Sequence, residues 1–476
     1  MKEWAIKAGL IDDKIKDQCK IVYEPDCASL AIQHEVKNKN FTANACNPTE
    51  DSEEEEEEEI KEGLNEDYKE IPDFFHKGEK YILVDAGGGT VDIACHEILG
   101  EFGVKEIHHP TGGPWGSYYI DDKYIELLED IFSKEWMTEF KMQSPNTYVQ
   151  ILHNFQSSKA TFYENYLNKK SKKHNVRIPD DFLAFVEEKC ANSGSGEEDK
   201  FPEDIVAEYV YLGKSGMVVL NEEYLEINEV IWKEFMFDVV INPTIKCIKE
   251  LLNEAIVMRN CKQLCLVGGL SCSKYFQYRM ENTFGPISKY RLQIIIPKRP
   301  ILSVVQGAAY FGITKNYIKA RRLRKTYGIS GNIPIDTAKS LGIPEDYIKK
   351  NTYKNGMDQE IVRDCVMTLA VKNEEIITNQ IIERGAMVRL QPSKEKIISA
   401  KVLSMIRSDK QDPKSLNECD NLADVKFTFE KKPEEINKLC EKPITIQFHF
   451  YGTMIKGTVI REDVDNQEHN VEFEYQ

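Results

Sequence analysis

The sequence predicts an α/β protein with a helix-rich insertion and a β-rich domain at its C-terminal end. Three observations carry this. Short apolar strands alternate with helical stretches around three glycine turns, GGGT from Gly87 to Thr90, GGPWGS from Gly112 to Ser117 and GGLS from Gly268 to Ser271. Residues 134–233 follow mainly helical spacing. From about residue 320 onward the pattern becomes alternation, as in ITIQFHF, with Ile444, Ile446, Phe448 and Phe450 on one face, and NVEFEY, with Val471, Phe473 and Tyr475.

In order along the chain, Lys2 to Leu10 reads as a helix with Trp4, Ala5 and Ala8 at helical spacing. Lys20 to Tyr23 reads as a short strand ending at Glu24-Pro25, followed by a helix from Asp26 to His34. Residues 36–78 lose periodicity and hold the acidic run Glu53 to Glu59, whose like charges repel. A solvated, disordered loop is expected there. The segment YILVDAGGGTVDIACHEI, Tyr81 to Ile98, is strand, glycine turn and returning strand. A third strand, Val104 to His108, leads through TGGPWGS to a helix from Asp121 to Phe132 with Ile125, Leu128 and Phe132 on one face. The helical insertion is broken by loop chemistry at Asn192 to Lys200. A helix from Phe235 to Ala255 precedes the strand QLCLVGG, and another helix starts at Lys274. The strand Leu292 to Ile296 is followed by RPILSVVQGAAYFG, a helix whose Gly307, Ala308 and Ala309 suit close packing. The boundaries expected are 1–35, 36–78, 79–133, 134–233, 234–319 and 320–476.

Composition narrows the function. A chain of 476 residues allows about two to four domains, and 41% apolar residues suffice for real cores. A net charge of −17 and a pI near 5.2 argue against nucleic acid or an acidic membrane surface as the main partner, because both need a basic footprint. Lys169-Lys170 and Arg321-Arg322 are too short for one and read as solvated faces. The 12 cysteines contain no CxxC pair, and Cys261 and Cys265 fit one buried helix-to-strand passage better than a zinc site. Reduced thiols are expected. With no secretory signal and no apolar stretch near the roughly 18 residues of a membrane span, a cytoplasmic location is favoured.

The glycine hairpin carries the chemistry. Gly87, Gly88 and Gly89 allow positive φ and let successive N–H groups face one concavity, which suits an anion. Asp85 closes the first strand and Asp92 opens the second, so two carboxylates flank the turn, placed to hold the water shell of a phosphate-bound Mg²⁺. Thr90 adds a hydroxyl. A lone glycine triplet is equally compatible with an ordinary hairpin; the flanking acids and the two further glycine turns tilt the reading toward phosphate.

EPDCAS, VDAGGGTVDI, GGPWGS, LVGGLS and QGAAYFG, in this order and at these spacings, resemble the actin-like ATPase superfamily, and within it the heat shock 70 kDa protein 12 branch. The motifs span residues 3 to 314, and the resemblance extends more weakly into the tail. It implies ribonuclease-H-like lobes with ATP or ADP and Mg²⁺ between them. By the resemblance, Gly87, Gly88, Gly89 and Thr90 contact the β and γ phosphates, Asp85 holds magnesium through water, and Asp92 assists in placing metal and water. Glu24 matches the glutamate that orders the attacking water; without the match it is a strand-end carboxylate. Gly268 and Gly269 match the adenosine motif, and Gly112 and Gly113 line the same cleft. Lys159 matches the lysine that reaches the nucleoside, or is an exposed helix lysine.

The departures from the family pattern matter equally. No DxGTT-like hairpin precedes Glu24 and the family's catalytic lysine is missing, so half the phosphate clamp is absent. The expectation is an N-terminally truncated version of a longer protein, since Met1 sits in a helix without an N-cap signal; a genuine half-clamp is the alternative. Cys272 stands where conventional 70 kDa chaperones place an arginine against adenine, and the junction from Lys325 to Pro334 lacks their leucine-rich linker. Three functions follow: an ATP-binding, chaperone-like protein with slow Mg-dependent hydrolysis in its full-length form and an unknown client; an interaction scaffold with weak or no nucleotide binding; and, third, a small-molecule kinase of the same superfamily.

Overall fold

The computed structural model describes residues 2–12, 21–37, 41–42, 75–100, 102–163, 173–192, 201–314, 316–355, 358–387, 398–429, 443–451, 454–461 and 467–474. The acidic run, the loop residues 193–200 and Tyr475 lie outside them. The chain divides into two compact units, one of Glu24–Phe102 and Pro110–Ile313, the other of Met1–Tyr23, Gly103–His109 and Thr314–Gln476.

The first unit is built on a sheet in which Cys261–Val267 lies parallel to both Gln293–Pro297 and Lys80–Ala86. Lys80–Ala86 pairs antiparallel with Val91–Gly100, and the two-residue strand Phe41–Thr42 pairs antiparallel with Gln293–Pro297. All seven residues of Lys80–Ala86 are buried, which is why this strand reads as a continuous apolar run instead of an alternating one.

Residues 21–23 are irregular where a short strand was expected, and the helix begins at Glu24, running Glu24–Lys37. The physical reason is Pro25: proline's fixed φ and missing N–H suit the first helical turn, where the N–H has no intrahelical acceptor. The helix Ser303–Ile313 packs on it through Gly307, where a Cβ would stand 1.7 Å from the Cys27 carbonyl oxygen. Gly307 is thus demanded by close approach, whereas Ala308 and Ala309 are exposed.

The insertion holds the helices Lys134–Gln143, Pro145–Thr161, Asp180–Asn192 and Pro202–Glu208 around Phe155, Phe162, Phe182 and Trp232. It is not purely helical. Lys173–Arg177, Tyr224–Asn228 and Val218–Asn221 form an antiparallel sheet, and Val210–Tyr211 pairs with Lys214–Ser215. Strands of two to five residues are too short for their alternation to stand out from helical spacing. A π-helix, Ile231–Phe237, leads into Asp238–Asn253, with Pro243 inside it.

In the second unit, Ile318–Arg322 runs parallel to the Gly103–Gly113 strand at Val104 and Lys105 and antiparallel to Glu375–Ile377. Arg321 and Glu106 form a buried ion pair at 3.2 Å there. An antiparallel sheet orders Thr352–Lys354, Glu360–Ala370, Thr326–Pro334, Ile398–Ser408 and Asp420–Phe429. A second orders Gln380–Met387, Pro443–Tyr451, Met454–Arg461 and Gln467–Glu474. Ile444, Ile446, Phe448 and Phe450 are all buried in one core with Tyr327, Met405 and Val459, as alternation requires. Val471 and Phe473 lie in the outer strand Gln467–Glu474. The helices Ile335–Ser340 and Glu345–Asn351, not foreseen from the pattern, close a smaller core of Ile333, Ala338, Ile348 and Val362.

Candidate functional site

The hairpin is in register, with Asp85 directly opposite Asp92 and Ala86 opposite Val91, and the Gly87 N–H donates to the Thr90 carbonyl at 2.9 Å. The second glycine turn clasps the first. The carbonyls of Gly87, Gly88 and Gly89 accept from the N–H groups of Ser117, Tyr118 and Gly116 at 3.1, 2.8 and 3.2 Å. A Cβ at Gly116 would lie 2.2 Å from the Gly88 carbonyl oxygen, so only glycine admits this clasp. Because the peptides of this turn are trans, turning those carbonyls inward points the N–H groups of Gly88, Gly89 and Thr90 to the opposite side.

One expectation needs correction. None of Gly87, Gly88 and Gly89 takes a positive φ, so the triplet is not explained by left-handed backbone. Nor is it explained by crowding at two of its positions: a Cβ at Gly88 or Gly89 would meet nothing within 4 Å, and one at Gly87 would lie 3.3 Å from the Thr90 carbonyl oxygen. Gly268 is the opposite case, at φ +85° with a Cβ position 2.4 Å from the Ala86 carbonyl oxygen and 2.6 Å from Asp85 Oδ1. The third glycine turn therefore presses against the end of the first hairpin strand. Gly269 is open, with Ile301 Cδ1 3.9 Å from its Cβ position.

Three carboxylates converge at the hairpin. Asp85 is 6% exposed, and its carboxyl is pushed up to about 7, first by burial and then by the neighbouring charges of Glu24 and Asp92. Glu24 is exposed at the start of its helix. Asp92 accepts a 3.0 Å hydrogen bond from Thr90 Oγ1. Among the described residues, no group of three or more His, Cys, Asp or Glu side chains is arranged to hold a metal ion directly.

Lys159 is no exposed helix lysine: its side chain is 15% exposed, and Nζ donates to Asp121 Oδ1 at 2.5 Å and to the Ser117 carbonyl at 3.3 Å. It is thereby tied to the residue whose own N–H holds Gly87. Gly112, at φ +145°, abuts the hairpin's returning strand, its Cβ position 2.0 Å from the Val91 carbonyl oxygen. Gly113 lies under the Trp115 indole. Thr111, Gly112 and Trp115 also line a cavity of about 530 Å³ with Lys246, Cys247 and Glu250 of the Asp238–Asn253 helix. Sequence reasoning missed the clasp by Gly116 and Ser117 and the partnership of Asp121; the glycine repeated within GGPWGS was the available signal. Cys272 is exposed at the end of the third turn.

Sheet, helices and clasped glycine hairpin together define a mixed α/β protein with three glycine turns, two of them pressed against the hairpin and one carrying it. No family model matches the chain. It is 27% identical over 346 residues to heat shock 70 kDa protein 12A of Homo sapiens and of Mus musculus, covering 69% of this chain and 48% of each relative. Heat shock 70 kDa protein 12B of Homo sapiens is 25% identical over 351 residues, with the same coverage. The chain is related to the heat shock 70 kDa protein 12 branch and spans about half the length of the curated relatives it matches. Among the described residues, no helix is long and apolar enough to cross a membrane.

Proposed function

We propose that this chain is an ATP-binding, heat-shock-70-like protein whose phosphate site is the glycine hairpin. The observation that carries the reading is the row of N–H groups of Gly88, Gly89 and Thr90, turned away from the clasping loop at positions where the fold leaves the glycine side open. An anion is the ligand such a row suits. The acids at the hairpin fit a divalent cation, since the charges of Glu24 and Asp92 add to the cost of ionising the buried Asp85 and a positive charge relieves it.

In this reading Asp85 and Asp92 would hold Mg²⁺ through water. The ion supplies neutralisation of phosphate charge. Glu24 orients water near the terminal phosphate, and Thr90 steadies Asp92. Gly268 and Gly269 form the adenosine side; Lys159, Gly112 and Gly113 border the same site. Any hydrolysis in this reading is slow and Mg-dependent, because these 476 residues hold no second phosphate hairpin of the DxGTT kind. A protein client and a cytoplasmic setting belong to the same reading. The competing reading, an interaction scaffold with impaired nucleotide binding, draws support from Lys159, whose ammonium is already engaged by Asp121.

Calorimetric titration of the chain with ATP and ADP in Mg²⁺ decides between them. Saturable binding that disappears in Gly88→Val is expected. A folded protein giving no heat, or a Gly88→Val variant with unchanged affinity, removes the hairpin from the nucleotide site.

A further inference from the structure

Behind the hairpin lies a polar cluster that the sequence reading passed over. Ser29 Oγ and Tyr81 Oη are 2.5 Å apart, and each lies 3.2 Å from His96 Nδ1. Gln33 Nε2 donates to Tyr81 Oη at 3.3 Å, and His96 Nε2 lies 3.9 Å from Asp26 Oδ1. Asp26, Ser29, Tyr81 and His96 are at most 2% exposed. Cys27, Ala28 and Leu30 beside them on the helix and Ala94 two residues before His96 on its strand are buried as well, a setting where leucine or valine would pack at no polar cost.

The cluster joins three elements at the site. Asp26, Ser29 and Gln33 occupy one side of the Glu24–Lys37 helix at spacings of three and four. Tyr81 belongs to the strand that ends in Asp85 and Ala86, and His96 to the strand that starts at Val91 and Asp92. Tyr81 and His96 are register partners across the hairpin, as are Asp85 and Asp92. Directional contacts therefore fix the rotation and height of the helix on the hairpin, which apolar packing alone specifies less sharply. The residue at the helix start is Glu24.

We infer that Asp26, Ser29, Tyr81 and His96 are positioning residues: they lock the first two turns of the Glu24 helix to both hairpin strands and so hold the Glu24 carboxylate in place beside Asp85 and Asp92. This rests on the proposed nucleotide site for its consequence but not for its geometry. Gly307, in backbone contact with Cys27, packs against the same helix and adds to what holds it while the cluster is intact.

The test uses Tyr81→Phe, which removes one hydroxyl and keeps the ring, and Ser29→Ala, with Glu24→Gln as reference. Amide hydrogen exchange in the Glu24–Lys37 helix is expected to quicken by about tenfold in both cluster variants, while Cys261–Val267 is unchanged. Where Mg-ATP binds and is turned over, single-turnover hydrolysis is expected to fall toward the Glu24→Gln rate with dissociation constants within about twofold of the parent. Unchanged exchange in the helix overturns the inference, as does loss of affinity and rate in equal measure, the signature of a merely structural role. A parent chain that binds no nucleotide defeats the proposed function alone, and the exchange arm still decides whether the cluster fixes the helix.

Discussion

At the scale of residues, Asp85 is the most informative group. Its carboxyl is held near 7 against a reference of 3.8, so the folded chain keeps a proton that the unfolded chain releases. A raised folded value gives stability that is fully present below about pH 4 and lost as pH rises through about 7. Without nucleotide, Asp85→Asn is expected to remove that dependence and to stabilise the chain at pH 8 by at most about 4 kcal/mol, with little gain at pH 4. Urea unfolding across that range measures it. The glycines make a contrasting pair. Gly88→Ala is expected to change stability by under about 0.5 kcal/mol, whereas Gly268→Ala, at φ +85° and against the Ala86 carbonyl, is expected to cost about 1–3 kcal/mol by the same assay. The pairing of Asp85 and Asp92 was legible because both flank one short turn. Asp121 as the partner of Lys159 was not, since 38 positions separate them and only the fold brings them together.

At the scale of elements, periodicity identified what was long and missed what was short. The Lys274–Phe284 helix and the Pro443–Tyr451 strand were legible from spacing alone. Phe448→Ala is expected to destabilise by about 3–5 kcal/mol, and His449→Ala, on the opposite face, by under about 1 kcal/mol, as thermal unfolding will show. The start of the Glu24 helix was misplaced because Glu24-Pro25 also fits a strand end; the local signal is ambiguous until the helix has something to pack against. Gly307→Val probes that packing. With no space between the two helices for a side chain, it is expected to cost at least about 2 kcal/mol and to lower Mg-ATP affinity together with stability.

At the scale of the whole molecule, each unit has its own buried core, and their membership was not readable from sequence order. The second unit gathers three separate stretches, including Gly103–His109, which interrupts the sequence of the first unit. Contiguous composition shifts cannot reveal such a grouping, since long-range pairing decides it. Within the first unit, Mg-ATP at a hundred times its dissociation constant is expected to protect the Lys80–Ala86 and Cys261–Val267 amides by about 2.7 kcal/mol where exchange requires global opening. The contrast among the glycines also reaches beyond this one chain. Gly112, Gly116, Gly268 and Gly307 have no room for a side chain against neighbouring backbone, whereas a Cβ at Gly88 or Gly89 would meet nothing within 4 Å. In a lineage that had abandoned nucleotide, those two would erode first and the others would persist, so the order in which glycines decay among descendants separates a working hairpin from a relic.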